Sequence, residues 1–207
     1  MADIVTSQTR ISNRALILLG TSTRLVSVDD TAPLAKLIKQ LWHESRRAGI
    51  AAHTWNFALH RVLLNADGEA PAFGYTRRFK LPPDNLGWKP WPRDSEFYFA
   101  GVEEGGYLLS DAPAPLRVRY LRDIEDVGAW SAPFGIFMAY QLALDLAQAA
   151  TQFAGKEQDM ADRREMALAE ATKQDGLASG EHTTGNARYL SRWARARVQR
   201  SSNPMTG

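Results

Sequence analysis

The chain has 207 residues, of which 44% are apolar and 23% are charged, a balance typical of folded proteins rather than of disordered tails. This length suffices for one domain, or for one domain that carries an insertion. The sequence contains no cysteine, which excludes disulfide bonds, thiolate metal ligands, iron–sulfur clusters and thiol nucleophiles.

The small net charge hides an asymmetry along the chain. The formal charge is +2, yet the last 20 residues hold five arginines and no acidic residue. The residues before them comprise 20 basic and 23 acidic side chains, a formal charge of −3. We therefore expect a body that is neutral to acidic, followed by a basic C-terminal arm.

The apolar stretches are too short to cross a membrane. The longest, residues 15–19 and 136–140, fall far below the roughly 20 residues that a bilayer span requires. The first ten residues are polar and lack the apolar run of a secretory signal. We expect no membrane association and synthesis in the cytoplasm.

An amphipathic helix is predicted over residues 7–19. Its apolar side chains follow the i, i+4, i+7, i+8 spacing of one helix face. Gly20 then provides a residue that readily ends a helix in the left-handed conformation. The apolar positions are Ile11, Ala15, Leu18 and Leu19.

A second helix is predicted to begin after Asp30 or Thr31, either of which can cap it, with Pro33 in the first turn. The apolar positions recur with nearly unbroken helical periodicity, so one face should be buried. That face is predicted to comprise Leu34, Leu37, Ile38, Leu41, Trp42, Ser45 and Ala48.

From residue 57 to residue 130 the pattern favours strands and turns, because short β-branched and aromatic runs alternate with Gly, Pro, Asn and Asp. Glu104-Gly105-Gly106 is typical of a hairpin turn. Residues 88–92 contain two tryptophans and two prolines and are predicted to form a packed loop. The predicted strands are 58–64, 73–80, 96–102, 107–110 and 116–121.

Two further helices are predicted after the strands. The third, over 134–153, is apolar on nearly every side, so neighbouring elements must enclose it. Its polar residues form one stripe: Gln141, Asp145, Gln148 and Gln152. The fourth, over 156–175, is highly charged and should pack on one side only, through Met160, Ala167, Leu168 and Ala171.

These elements predict an α+β fold: a bundle of about four helices with an inserted antiparallel β domain and an extended C-terminal arm. The bundle is assigned to residues 1–57 and 132–176, and the β-rich insert to 58–131. Residues 177–207 are assigned to a linker and the basic arm. Residues 176–186, rich in Gly, Ser and Thr, form the linker, which has no periodicity.

No arrangement of residues typical of catalysis is apparent. His43-Glu44 lacks a second histidine four residues on, where Arg47 stands, and so does not match a zinc-helix motif. His53 and His60 are interpreted as polar caps. The adjacent carboxylates at 29–30 and 103–104 are expected to point into solvent. We predict that the chain is not an enzyme and requires no cofactor or metal.

The basic arm combines arginines with two aromatic side chains, a composition that allows two functions. Nucleic acid binding would use phosphate contacts and stacking. Docking onto a protein would pair the arginines with carboxylates and insert the aromatic rings into a groove. A tail without a target is the third alternative, and docking is preferred. The predicted docking residues are Arg188, Tyr189, Arg192, Trp193, Arg195, Arg197 and Arg200.

The order of the elements resembles that of the head-to-tail adaptors of short-tailed bacteriophages, a family also called tail tubular protein A. None of the similar segments is catalytic, and it is their shared order over residues 9–175 that carries the resemblance. The segments are NRALILLG at 13–20, VSV at 26–28, HTWNF at 53–57, YTRRFKLPPD at 75–84 and LRVRY at 116–120, followed by the alanine-rich and charged helices.

The resemblance implies a ring of about twelve copies in the neck of a virion, synthesised in the host cytoplasm. The helical part would face the portal protein and the β part the tail nozzle protein. Genomic DNA would pass through the centre without sequence recognition, and the arm would dock on the portal. The alternative function is a nucleic-acid-binding protein that acts through its basic arm.

Overall fold

The computed structural model describes residues 7–150, 153 and 155–178. Over these residues the chain forms four α-helices and two three-stranded antiparallel sheets, which confirms the predicted α+β class. All six strands lie between the second and third helices in the sequence. The predicted arm and most of the predicted linker lie outside the described residues.

Helix α1, Gln8–Leu18, begins and ends close to the predicted positions. The Ser7 hydroxyl accepts a backbone N–H from the first turn and so satisfies one of the free donors there. Gly20 adopts φ +72°, and the N–H of Thr21 donates to the carbonyl of Leu16. This left-handed ending is the one that a glycine at this position favours.

Helix α2, Pro33–Ala51, has Pro33 in its first turn as predicted, but the predicted capping residue is wrong. The N-cap is Ala32, whose side chain cannot cap, and the Asp30 carboxylate instead accepts the N–H of Ala32 in the preceding turn. Proline lacks an N–H, so one fewer donor needs a cap.

The predicted buried face of α2 is wrong in part. Ala48 is exposed, whereas Arg46 and Gly49 are buried. Helix α2 packs against the third helix on one side and approaches the β region on another. Because α2 contacts both the third helix and the β region, its buried face differs from the face that periodicity alone predicts.

Helix α3, Ala132–Ala149, lies at the centre of the bundle and packs against α1, α2 and the fourth helix. The predicted enclosure is therefore largely achieved within one chain, although Ile136 stays 41% exposed. The predicted end at residue 153 is wrong: the helix ends at Ala149, and the next residue is extended. The chain turns there so that Phe153 enters the helical core.

The predicted polar stripe of α3 forms a bridge between helices. Asp145 accepts hydrogen bonds from the Ser45 hydroxyl on α2 and from the Gln141 amide on its own helix. The Gln141 carbonyl accepts from Arg164 at 2.9 Å. These bonds satisfy polar groups at the centre of the bundle. Gln152 lies outside the described residues.

Helix α4, Glu157–Ala178, is charged on its outer side and buries Met160, Ala171 and Asp175. The predicted one-sided packing is thus confirmed, but the prediction that the linker begins at residue 176 is wrong. Asp175 accepts the backbone N–H of Asn56 at 3.1 Å, and the Asn56 side chain donates to the Asp175 carbonyl at 2.7 Å. This contact holds the last turn of α4 against the residues between α2 and the first strand.

The six strands form two separate sheets. The first sheet has the order β1-β6-β3 and the second the order β2-β5-β4, with every pair antiparallel. The strands are β1 Leu59–Leu64, β2 Arg77–Lys80, β3 Asn85–Lys89, β4 Gly101–Glu104, β5 Tyr107–Ser110 and β6 Leu116–Arg122.

The predictions for β1, β5 and β6 are confirmed within one residue, and the hairpin turn joins β4 to β5 as predicted. Gly105 and Gly106 in this turn have φ of +57° and +82°, which suits a two-residue hairpin. Strand β2 is shorter than predicted, and β4 begins five residues later. The predicted loop over 88–92 is wrong at Trp88 and Lys89, which lie in β3. Strand β3 is at a sheet edge, so prolines directly after it interrupt no ladder.

The buried apolar residues form two clusters. The larger, the helical core, is centred on α3 and includes the fully buried rings of Trp55, Phe134 and Phe137. Leu121, at the end of β6, also packs into it. The smaller, the β core, lies between the sheets and consists of Leu64, Phe79, Leu81, Leu108, Leu116 and Val118.

Candidate interaction surfaces

The residues predicted to dock on a partner lie outside the described residues, so the candidate surfaces come from the body of the chain. The outlying docking residues are Arg188, Tyr189, Arg192, Trp193, Arg195, Arg197 and Arg200.

One group of side chains in the body has the composition of a metal site. His43, Asp123 and Glu125 each place a potential ligand atom within 4.8 Å of the others. However, Asp123 accepts two hydrogen bonds from Arg46, at 2.9 and 3.0 Å, and a third from Arg47 at 2.9 Å. A cation would have to displace two guanidinium groups. The arrangement is that of a structural ion pair.

This ion pair connects the helical and β parts of the molecule. Only 6% of the Arg46 side chain and 7% of the Asp123 side chain are exposed. Arg46 lies on α2 and Asp123 directly follows β6, while Glu125 adds a bond of 3.0 Å at the surface. A buried charge pair is costly to break because the remaining partner stays desolvated.

The other candidate residues from the sequence have separate surroundings. The His53 ring packs edge-on to Trp55 at 4.9 Å, and its Nε2 lies 3.8 Å from the Asp175 carboxylate. His60 lies on β1, and its ring centroid is 6.4 Å from that of Tyr120. Neither histidine belongs to a metal-type cluster among the residues that the structure describes.

At least one carboxylate of each adjacent pair has a hydrogen-bond partner of its own. Asp29 pairs with Lys39 at 2.9 Å, while Asp30 belongs to the turn before α2. Glu103 accepts from the Asn85 side chain at 3.1 Å. Neighbouring carboxylates with different structural partners do not form the opposed pair that glycoside hydrolysis requires.

The first sheet presents an unusual row of positive charges. In the strand register, Arg61 on β1 lies opposite Arg119 on β6, and Arg119 lies opposite Lys89 on β3. Directly opposed residues of an antiparallel sheet point to the same face. We call these three residues the cation row.

Two aromatic rings after β3 lie on the cation row. The guanidinium carbons of Arg61 and Arg119 are 5.5 and 4.8 Å from the ring centroid of Trp91. Arg117, which is on the same face of β6, lies 5.0 Å from the ring centroid of Phe97. We call Trp91 and Phe97, whose centroids are 5.1 Å apart, the aromatic pair. The rings hold the guanidinium planes in place through cation–π contacts.

A second candidate surface is an apolar groove between α3 and α4. It is open to solvent and has a volume of about 300 Å³. Met166 is 73% exposed and Ile136 is 41% exposed, which is unusual for large apolar side chains that lie together. We define the α3–α4 groove by Pro133, Ile136, Tyr140, Met166 and Ala167.

The β part also exposes large apolar side chains. Phe73, in the loop between β1 and β2, is 88% exposed, and Leu63 on β1 is 62% exposed. The loop of Phe73 is anchored at its base by Arg78, which pairs with Asp67 at 2.9 Å and also contacts Glu69. The loop therefore carries Phe73 as an exposed apolar side chain between β1 and β2.

The chain matches no protein-family model and no curated protein. Among the described residues, no helix combines the length and hydropathy that a membrane span requires.

Sequence reasoning missed the cation row. The alternation LRVRY in β6 does place Arg117 and Arg119 on one strand face, and this signal is visible in the sequence. Strand β3 was not predicted, because residues 88–92 were assigned to a loop. Without β3 there is no register to bring Lys89 opposite Arg119.

Proposed function

We propose that this protein is a structural head-to-tail adaptor of a short-tailed phage virion. About twelve copies form a ring in the neck, between the portal protein and the tail nozzle protein, and genomic DNA passes through the ring. The observation that carries the proposal is that both parts of the molecule expose large apolar side chains. A protein that is positioned between two partners needs such a surface on each part.

On the helical part, the α3–α4 groove provides the contact with the neighbouring copy of the ring. A closed ring uses two different surfaces of each subunit, so the groove receives a surface other than itself. Arg163 and Glu170 border the apolar residues with charges of both signs. An apolar centre with a polar rim is the usual anatomy of a protein interface.

On the β part, Phe73 and Leu63 provide anchors for the partner at the opposite end. The two sheets enclose a small core of their own, which supports these exposed side chains. The resemblance to the adaptor family, in which the β part faces the nozzle, supports the same division of surfaces.

Cryo-electron microscopy of purified virions tests the location. We expect about twelve copies of this chain as one ring at the neck. A particle population that lacks the chain, or that carries it elsewhere, contradicts the proposal.

A matched pair of variants tests the groove. Met166→Glu places a charge in it and should abolish ring formation in the presence of portal, measured by native mass spectrometry. Ile17→Glu is the control, because Ile17 is an exposed apolar residue of α1 outside the groove. Equal loss of rings in both variants, or rings in both, refutes the role of the groove.

Removal of residues 185–207 tests the arm. The truncated protein should stay folded and lose portal attachment in a pull-down assay. Attachment that survives the truncation refutes docking by the arm.

The concentration of five arginines in the last 20 residues supports a second function, nucleic acid binding through the arm. Under this alternative, replacing Arg192, Arg195 and Arg197 with alanine removes DNA affinity in a salt-dependent binding assay. Under the adaptor proposal the same replacement removes portal attachment.

A further inference from the structure

The cation row places three positive side chains side by side across three adjacent strands. Arg61, Arg119 and Lys89 occupy directly opposed positions. Like charges at such positions destabilise a sheet. The contacts of Arg61 and Arg119 with the Trp91 ring stabilise the guanidinium groups but do not neutralise their charge, so a ligand of opposite charge would relieve the remaining repulsion.

No carboxylate of the described residues forms an ion pair with the cation row or with Arg117. One guanidinium nitrogen of Arg119 donates to the Pro90 carbonyl at 2.7 Å, but its Nε is buried without a hydrogen-bond partner. Within this part of the chain, the positive charge of the face is therefore uncompensated.

The aromatic pair fixes the direction in which the arginines can bind. A guanidinium that stacks on a ring keeps its N–H groups in its own plane, where they can donate to a planar oxyanion. The Trp91 indole N–H donates to the Arg117 carbonyl at 2.9 Å, which locks the ring to β6. The face thus holds ordered donors before any ligand arrives, which reduces the entropic cost of binding.

The same face also carries an exposed apolar side chain beside the arginines. Leu63 lies opposite Arg117 in the register and is largely exposed. Together with Arg61, Arg117 and the aromatic pair it lines an open cavity of about 260 Å³. An apolar side chain with arginines beside it resembles the most strongly binding regions of protein interfaces.

We propose that this face is a docking site for an acidic peptide segment of a protein partner. An apolar side chain of the segment enters the cavity beside Leu63, and carboxylates on either side of it pair with Arg61, Arg117 and the rest of the cation row. Docking neutralises the repulsion across the strands. The site acts whether or not the chain forms a ring.

A nucleic acid is the competing ligand, and two features argue against it. The rings of the aromatic pair are already in contact with guanidinium groups, whereas base stacking needs free ring faces. The exposed Leu63 offers nothing to a phosphate. Both features suit an apolar side chain flanked by carboxylates.

Fluorescence anisotropy with defined probes tests the proposal on the full chain. The probes are labelled eight-residue peptides with a central Leu, Ile or Phe flanked by Asp and Glu. The matched neutral peptides carry Asn and Gln, and a thymidine oligonucleotide of similar length is the nucleic acid probe. At least one acidic peptide should bind at least about tenfold more tightly than its neutral counterpart and weaken as salt is added.

Variants show whether binding uses this face. The double variant Arg61→Gln, Arg117→Gln should weaken the acidic peptide at least about tenfold. Its melting temperature should be equal to or above that of the parent protein, because repulsion is relieved. Arg14→Gln, an exposed arginine on α1, is the control and should bind as the parent does. Leu63→Ser should weaken binding without altering the charge.

Three binding results would overturn the proposal. The first is that none of the acidic peptides binds at about 1 mM. The others are that the oligonucleotide binds more tightly than every peptide, or that the double variant binds the acidic peptide as tightly as the parent protein does. Loss of folding in the double variant would show that the arginines serve the sheet itself, which also overturns it. Loss of ring assembly through the Met166→Glu variant leaves this result unaffected, because the α3–α4 groove shares no residue with this face, so the proposal for the groove and the proposal for this face fail independently.

Discussion

The helical and β parts of the molecule are stabilised in different ways. In the helical part, α3 is enclosed on three sides, and the aromatic rings of Trp55, Phe134 and Phe137 pack against one another with centroid distances of 4.9 to 5.9 Å. In the β part, a core of six residues lies between two small sheets. Charged and aromatic side chains at the surface account for much of the remaining contact there.

The difference indicates that the helical part supplies most of the stability, whereas the β part presents many of its side chains at the surface. Burial of apolar area is the main source of stability, and most of it lies in the bundle. The insert gains less from burial and exposes the cation row, Leu63 and Phe73. Four sets of substitutions in the body test this division, from the largest expected effect to the smallest.

The largest effect should come from equivalent substitutions in the two cores. Phe137 and Phe79 are both fully buried, one in each core. Phe137→Ala should lower the free energy of unfolding by about 5 kcal/mol and Phe79→Ala by about 3 kcal/mol, since the bundle has less freedom to close around a cavity. Denaturant titration measures both. A larger loss for Phe79→Ala would reverse the comparison.

Breaking the ion pair between the parts should have the next largest effect. Arg46→Met leaves the buried Asp123 with Arg47 alone and should cost about 3 kcal/mol. Arg163→Met, which removes the exposed pair with Asp159, should cost less than about 1 kcal/mol. Thermal unfolding compares them. Equal losses would show that the pair does not couple the two parts.

Overpacking the contact of α2 with α3 should have an intermediate effect. A Cβ on Gly49 would lie 2.3 Å from the Met138 sulfur, so Gly49→Ala should cost about 2 kcal/mol. Gly176→Ala is the control, because nothing lies within 4 Å of its added Cβ, and it should be neutral or gain up to about 1 kcal/mol. A neutral Gly49→Ala would show that the Met138 side chain, or the two helices, can shift to admit the methyl group at no net cost.

The smallest effect concerns Tyr120 in the β part. Burial raises the pKa of this phenol above its ordinary value of 10.0, and Asp84, which accepts its hydrogen bond at 3.2 Å, raises the pKa further. At neutral pH, Tyr120→Phe should cost about 1 kcal/mol for the lost bond.

The same raised pKa makes stability depend on pH. The folded state holds the phenol proton more tightly than the unfolded state does, so this contribution is complete below about pH 10 and is lost as the pH rises through the folded pKa. Chemical denaturation at about pH 9 and about pH 11 should show a smaller decline for Tyr120→Phe than for the parent. Equal declines would contradict the raised pKa.

Local features of the sequence predicted the elements well where one residue type determines the conformation. Gly20 ends α1 because its φ is positive, and Gly105 and Gly106 form the hairpin turn for the same reason. The apolar character of α3 likewise predicted a helix enclosed by neighbours. These features depend on the local backbone and on composition, which are present in the sequence itself.

The sites depended on pairing between distant segments. The buried Arg46 is explained only by Asp123, 77 residues later. The cation row requires β1, β3 and β6 to lie in one register, and Trp88 and Lys89 were misassigned because an edge strand tolerates the prolines that follow it.

The sequence by itself determined the class of the fold, most element positions and the concentration of positive charge in the last 20 residues. Only the tertiary structure decided which side of α2 is buried and which charges share a face. It also decided that α4, held by the contact of Asp175 with Asn56, continues beyond the predicted start of the linker. The reason is physical: periodicity reports which residues avoid water, whereas the neighbour that covers or faces them is chosen by long-range packing.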